Sequence, residues 1–173
     1  MKGHFHSLKS DYVQFYGKIS AFFRAKPIRM TLLRIIYKAA PLAAAFMYIA
    51  MLLYCFISGN YIKLLKCIVI PAAAFFLVTV MRKILNTERP YTRYKINPLI
   101  RKDKKGESFP SRHTLSAVLI TMTGFYVWPP LGLILSVLSV LLGASRIIAG
   151  VHFPGDVLAA VLIGAAAGAL LFI

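Results

Sequence analysis

The sequence predicts an all-α fold, a polytopic transmembrane helix bundle of about five spans plus an N-terminal basic amphipathic helical segment. Three observations predict it. Hydrophobic residues make up 59% of the 173-residue chain, and its mean hydropathy of +0.72 is well above that of soluble chains. Uncharged runs recur at lengths suited to a ~30 Å hydrocarbon core. Charge is gathered into two stretches, with eight Lys/Arg and one acid in 1–38 and ten Lys/Arg and three acids in 82–112. A chain of this length holds one domain or one bundle. The division expected is 1–38, a basic amphipathic segment, and 39–173, the bundle, whose polar loop is 82–112.

In chain order, residues 1–38 interleave Phe22, Phe23, Ile28, Leu32 and Ile35 with Arg24, Lys26, Arg29, Arg34 and Lys38. That mixture does not span a membrane, but it suits a broken helix lying on an anionic surface. It lacks the compact apolar core and small-residue cleavage site of a signal peptide. The stretch 39–62 is uncharged over 24 residues, enough to cross at 1.5 Å per residue. After the Ser58-Gly59-Asn60 break comes 61–81, with Lys63 and Lys66 placed to snorkel. Residues 114–144 are uncharged again, and Pro129-Pro130 divides them into two helices, with Tyr126 and Trp128 suited to an interfacial belt. A last apolar run, 157–173, carries Gly164 and Gly168, a spacing that permits close helix contact. Cys55 and Cys67 lie in apolar stretches and read as small buried hydrophobes.

The charge balance, 21 Lys/Arg against 5 Asp/Glu, points to a polyanionic partner. In so apolar a chain that means anionic membrane lipid or a phosphate ester rather than nucleic acid. Three clusters concentrate the chemistry: Arg82-Lys83 with Arg89-Pro90, Pro110-Ser111-Arg112-His113, and Ser145-Arg146 with His152 and Asp156. Ser111 and Phe153-Pro154 read as helix starts, where free N–H groups favour phosphate. Arg82, Lys83, Arg89, Arg112 and Arg146 are candidates to neutralise it, and arginine suits bidentate phosphate contact. Asp156, in the first turn of the last helix, is placed to hold one ring nitrogen of His152 and leave the other nucleophilic. His113 is placed to protonate a leaving oxygen. Five carboxylates in a basic chain do not favour a divalent cation, which wants several oxygen ligands; no metal or other cofactor is expected.

These clusters resemble the three-part signature of the type 2 phosphatidic acid phosphatase superfamily, the lipid phosphate phosphatases related in site to vanadium haloperoxidases. The pattern runs K-x6-R-P, P-S-G-H, then S-R-x5-H-x3-D. The third part is complete in Ser145, Arg146, His152 and Asp156; Arg82 stands in place of the Lys, beside Lys83, and Arg112 in place of the Gly. The resemblance implies that His152 attacks phosphorus to give a phosphohistidine, oriented by Asp156. His113 then serves as acid and later as base, while Arg82, Arg89, Ser111 and Arg146 bind the phosphoryl oxygens. It implies a multi-pass protein of the cell membrane acting on a lipid phosphate or diphosphate, such as phosphatidate, phosphatidylglycerol phosphate or polyprenyl diphosphate. Orientation is contested. The family works on the outer face, whereas the basic N-terminus argues for the cytoplasm. A non-catalytic anionic-lipid binder is the competing reading, but electrostatic binding needs neither histidine nor the carboxylate. A small transporter would call for charge pairs near mid-bilayer, which the sequence does not place there. Oligomeric state, lipid tail and headgroup are not encoded in any motif.

Overall fold

Pro27 opens the longest described helix of the structure, a computed structural model that describes residues 2–173, with side chains from residue 11 onward. A proline in the first turn suits a helix start, because its missing N–H would be unpaired there anyway. It separates α1 (Lys2–Arg24) from α2 (Pro27–Ile57). α2 runs without interruption from the basic segment through residue 38 and into the apolar stretch. The Ser58-Gly59-Asn60 turn follows, with Gly59 at φ +71. The side chain of Asn60 then caps α3 (Tyr61–Leu85) by accepting from Lys63 N–H at 3.1 Å. Asn86, in the left-handed region at φ 39, closes α3, a conformation asparagine tolerates better than most residues. A four-residue turn, α4 (Pro90–Arg93), lies in the polar loop, and α5 (Arg112–Val127), α6 (Pro129–Ile148) and α7 (Pro154–Ala169) complete the chain, the last ending in a 3-10 turn at Leu170–Phe172.

Among the described residues four segments are long and apolar enough to cross a membrane: Pro27–Ile57, Tyr61–Arg93, Pro129–Ile148 and Pro154–Phe172. Their outward faces carry large apolar side chains, among them Leu42, Phe46, Phe76, Leu133, Val140 and Leu162. In water such a surface would aggregate; against lipid tails it costs nothing. Of α2, α3, α5, α6 and α7, α5, which matches α7 in length at 16 residues, sits at the centre, packed against the other four. It is also the most polar. Thr121 and Thr123 donate to the carbonyls of Ala117 and Leu119, and Thr121 also meets Ser139 of α6 at 2.8 Å. Their hydroxyls are thus satisfied internally, as a membrane interior demands. The small residues of α7 let α5 approach: a Cβ at Gly164 would meet Val118 at 3.0 Å, and one at Gly168 would meet Met122 at 2.5 Å.

Two prolines inside helices staple the bundle. Pro41 has no N–H for the carbonyl of Tyr37, four residues earlier; that carbonyl accepts instead from Arg146 Nη2 of α6 at 3.2 Å. Pro71 likewise frees the carbonyl of Cys67, which accepts from the Tyr48 hydroxyl of α2 at 2.6 Å. Helix direction alternates, so the starts of α2, α5 and α7 meet the ends of α3 and α6 at one end of the bundle. At the other end Lys63 lies 5.0 Å from the Tyr126 ring centroid, and Tyr126 packs edge-on against Phe172.

Candidate active site

The turn between α6 and α7 builds the core of the site. Gly150 (φ +77) reverses the chain after α6. A side chain there would be strained, and its Cβ would also meet the Tyr16 hydroxyl of α1 at 2.5 Å. Two residues later comes His152, only 3% exposed. Its Nδ1 lies 3.3 Å from Asp156 Oδ2. That carboxylate oxygen also accepts the Ser108 hydroxyl at 2.5 Å and the Phe153 N–H at 3.0 Å. The last contact caps α7, so Asp156 has an ordinary structural task alongside the orienting one. With Nδ1–H turned to the carboxylate, Nε2 keeps its lone pair. Burial lowers the His152 pKa, and Arg89 and Arg82 push the same way against the pull of Asp156. The ring therefore rests neutral.

Around this pair stand the arginines. Arg82 is buried and donates to the carbonyls of Glu107, Ser108 and Pro110, tying the end of α3 to the chain before α5. Arg89 Nε donates to Gly106 O at 3.1 Å and its Nη1 to Val151 O at 3.4 Å, next to His152. Arg146 is fixed by the Tyr37 carbonyl and sits over the Tyr37 ring, 3.9 Å from the centroid. The Nε atoms of Arg82 and Arg146 are buried and have no hydrogen-bond partner among the described residues. Buried cationic donors left unpaired are costly.

Ser111 takes the N-cap position of α5, but its hydroxyl accepts from Thr114 Oγ1 at 3.0 Å instead of capping the helix. Its own N–H donates to the Asp156 carbonyl at 2.9 Å, joining the second cluster to the third. His113, one turn along, is exposed and lines an apolar cavity of about 390 Å³ with Arg112, Phe75, Ala117 and Leu142. Arg112 stacks over Phe75, 5.8 Å from its centroid. The structure thus gathers Arg82, Arg89, Ser111, Arg146, His152 and Asp156 in one buried region, with Arg112 and His113 at its apolar edge. Lys83 is the exception: it lies on the exposed face of α3 while Arg82 points inward.

Sequence reasoning missed Ser108, Tyr37 and Tyr12. Ser108 stands two residues before Pro110, and a hydroxyl so close to the second cluster was the available signal. Tyr37 had only an indirect one, Pro41 four residues on. Tyr12, whose ring lies 5.1 Å from that of Phe153 and whose buried hydroxyl has no partner among the described residues, comes from a segment outside every motif. Among the described residues no three His, Cys, Asp or Glu side chains gather as metal ligands would.

A helical membrane protein with a buried His–Asp pair beneath arginines is built to handle phosphate. The PAP2 superfamily model matches residues 63–173, and the chain belongs to that superfamily, which makes it a membrane phosphatase of lipid phosphates. It is similar in structure to Aquifex aeolicus LpxE (TM-score 0.71, 26% identity, 92% of this chain and 93% of that one). It also matches the first transmembrane PAP2-type phosphatidylglycerolphosphate phosphatase from Bacillus subtilis, with 23% identity over 95% and 94% of the chains, but at a TM-score of 0.42 that likeness carries no weight. A search of curated proteins found no match.

Proposed function

We propose that the protein removes phosphate from a lipid phosphate monoester or diphosphate, of the phosphatidate, phosphatidylglycerol phosphate or polyprenyl diphosphate type, by way of a phosphohistidine at His152 and without a metal. His152 Nε2 attacks phosphorus; the bond from phosphorus to the leaving oxygen breaks, and His113 gives that oxygen its proton. Water then attacks the phosphohistidine, His113 takes a proton back, the P–N bond breaks and inorganic phosphate departs. Asp156 holds the attacking ring and stabilises the positive charge it acquires. Arg82, Arg89, Arg146 and the Ser111 region bind the phosphoryl oxygens, a load that elsewhere falls to divalent ions.

The observation that carries this reading is the cavity beside His113. Its polar mouth holds Arg112 and His113, and its walls are apolar. A second apolar cavity of about 520 Å³ shares Ala45, Phe75, Ser116 and Ile120 with it and continues along α2 and α3 towards Tyr48 and Ile68. Such a groove suits an acyl or prenyl tail, with the leaving oxygen at His113. We place the enzyme in the cell membrane with this end on the outer face; membrane-impermeant labelling of a Lys105→Cys protein in intact cells checks that orientation.

Phosphate release from a panel of lipid phosphates and diphosphates tests the chemistry, with and without chelator, in wild type and His152→Ala. Release abolished by the substitution and indifferent to chelator is the expected outcome. Undiminished release from His152→Ala removes the nucleophile, and loss with chelator removes the metal-free mechanism.

A further inference from the structure

Beside the catalytic cluster, between the first turns of α2 and the loop before α5, lies a cleft of about 730 Å³ that the proposed reaction does not use. Arg24, Arg34, Lys38, Arg101 and Lys102 line it, and no carboxylate does. All five cations are exposed. Glu107 is paired with Lys104 at 2.7 Å, outside the lining. Like charges lining one cleft repel one another, and an anion between them relieves the repulsion.

The cleft is held in shape by its backbone. The N–H groups of Leu99 and Ile100 both donate to Ala149 O, at 3.1 and 3.4 Å, and Leu99 N–H also meets the Tyr16 hydroxyl at 3.0 Å. Arg24 Nη2 donates to Asn97 O at 3.2 Å, bracing α1 against the same loop. Tyr37 is the wall shared with the catalytic cluster. Its ring has Arg146 at 3.9 Å and Lys102 at 5.8 Å. None of the five lining cations belongs to the set around His152.

From these observations we infer a second anion site, which seats the phosphate-bearing headgroup of an anionic membrane lipid. The pattern along α2 favours a lipid over free phosphate. Arg34, Lys38, Leu42 and Phe46 recur every four residues and so form one stripe on the helix. The stripe opens with two cations and continues with two apolar side chains that are 71% and 72% exposed. A headgroup in the cleft leaves its acyl chains lying along Leu42 and Phe46, as at other membrane interfaces where basic and apolar residues adjoin. Free phosphate makes no use of the apolar half.

Calorimetric titration of the full-length, detergent-purified protein tests the site. The probes are dihexanoyl phosphatidylglycerol, dihexanoyl phosphatidylcholine and inorganic phosphate. The proteins are wild type, Arg34→Gln/Lys38→Gln/Arg101→Gln and Arg89→Gln. Saturable phosphatidylglycerol binding is expected in wild type, weakened at least tenfold in the triple variant and retained in Arg89→Gln, with no matching phosphatidylcholine binding. Phosphatidylglycerol affinity unchanged in the triple variant, or equalled by phosphatidylcholine, overturns the site. Inorganic phosphate that binds as tightly as phosphatidylglycerol, and loses affinity equally in the triple variant, overturns the lipid assignment. The three exchanged side chains are exposed, so the triple variant should keep its thermal midpoint and its turnover of a single-phosphate substrate in neutral micelles. Binding is read without turnover. Failure of phosphate release would count against the proposed function and leave this site standing.

Discussion

The two histidines occupy opposite kinds of surroundings. His152 is enclosed: Asp156, Ser108 and the arginines reach it from α3, α7 and the loop, and almost none of its surface is free. His113 is open, at the mouth of an apolar cavity between α2, α3 and α5. A nucleophile profits from a closed, preorganised network, because reorganisation then costs little at the moment of attack. A residue that hands a proton to a departing lipid has to face the place where the lipid lies. On the proposed mechanism the same helix starts supply a fixed side for bond making and an accessible side for substrate and product.

Asp156→Asn strikes the closed side and has the largest expected effect. It keeps the shape but offers the wrong partner to Nδ1–H, and a loss of kcat of about 10⁴-fold is expected by analogy with other His–carboxylate pairs. A loss below tenfold would reduce Asp156 to its helix-capping task. His113→Ala strikes the open side. A loss of about 10³ is expected for lipid phosphates; in the phosphorylation step alone, read as the nitrophenolate burst, the loss should shrink to about tenfold or less for p-nitrophenyl phosphate, whose leaving group needs no proton. Equal losses on both substrates would break the division of labour.

The pH profile sharpens the closed side further. Burial disfavours the imidazolium of His152, so its folded pKa lies below the usual ~6.5. The acid limb of kcat/KM assigned to it should fall below that value, and His152→Ala in a phosphorylated-enzyme trapping assay should abolish the trapped species. Between the two pKa values the unfolded chain binds more protons than the folded one. The neutral ring's contribution is therefore complete above about pH 6.5 and declines as pH falls towards the folded value; His152→Phe should flatten that decline in thermal midpoint.

Ala45→Trp fills the groove shared by both cavities. It is expected to cut kcat/KM about tenfold for long-chain substrates, the size of effect a few apolar contacts produce, and to leave p-nitrophenyl phosphate untouched. The smallest effect is assigned to Pro41→Ala. It restores an N–H that competes with Arg146 for the Tyr37 carbonyl, and a fall of about fivefold in kcat/KM matches the loss of one ~1 kcal/mol hydrogen bond. No change, with Arg146 still ordered, would show that the guanidinium is held by the Tyr37 ring alone.

Much of this was legible along the chain because the chemistry sits in short local patterns. Ser145-Arg146, His152 and Asp156 lie within one helix end, a tight turn and one helix start, so spacing alone places them together. Arg82 and Arg89 were legible as cations, but not their division of tasks: Arg82 spends its guanidinium on three carbonyls of the loop, and Lys83 beside it faces outward. Ser108 was overlooked because serine is common in loops and its partner is 48 residues away. The segment 1–38 read as a surface helix, yet α2 begins at Pro27 and carries Tyr37 into the site, while α1 lays Tyr12 and Tyr16 against the His152 turn.

The sequence alone determined the class of fold, the family and the apolar helices, and it named the candidate reacting groups, because hydropathy, helix length and local spacing are properties of neighbours in the chain. Only the tertiary structure decided which cations are spent on scaffold and which donors remain for phosphate. It also decided that an apolar cavity adjoins His113 and that two interior prolines release carbonyls to distant helices. Those outcomes depend on groups dozens of residues apart meeting at one end of the bundle, and no local pattern records which hydrogen-bond partner a buried group will find there.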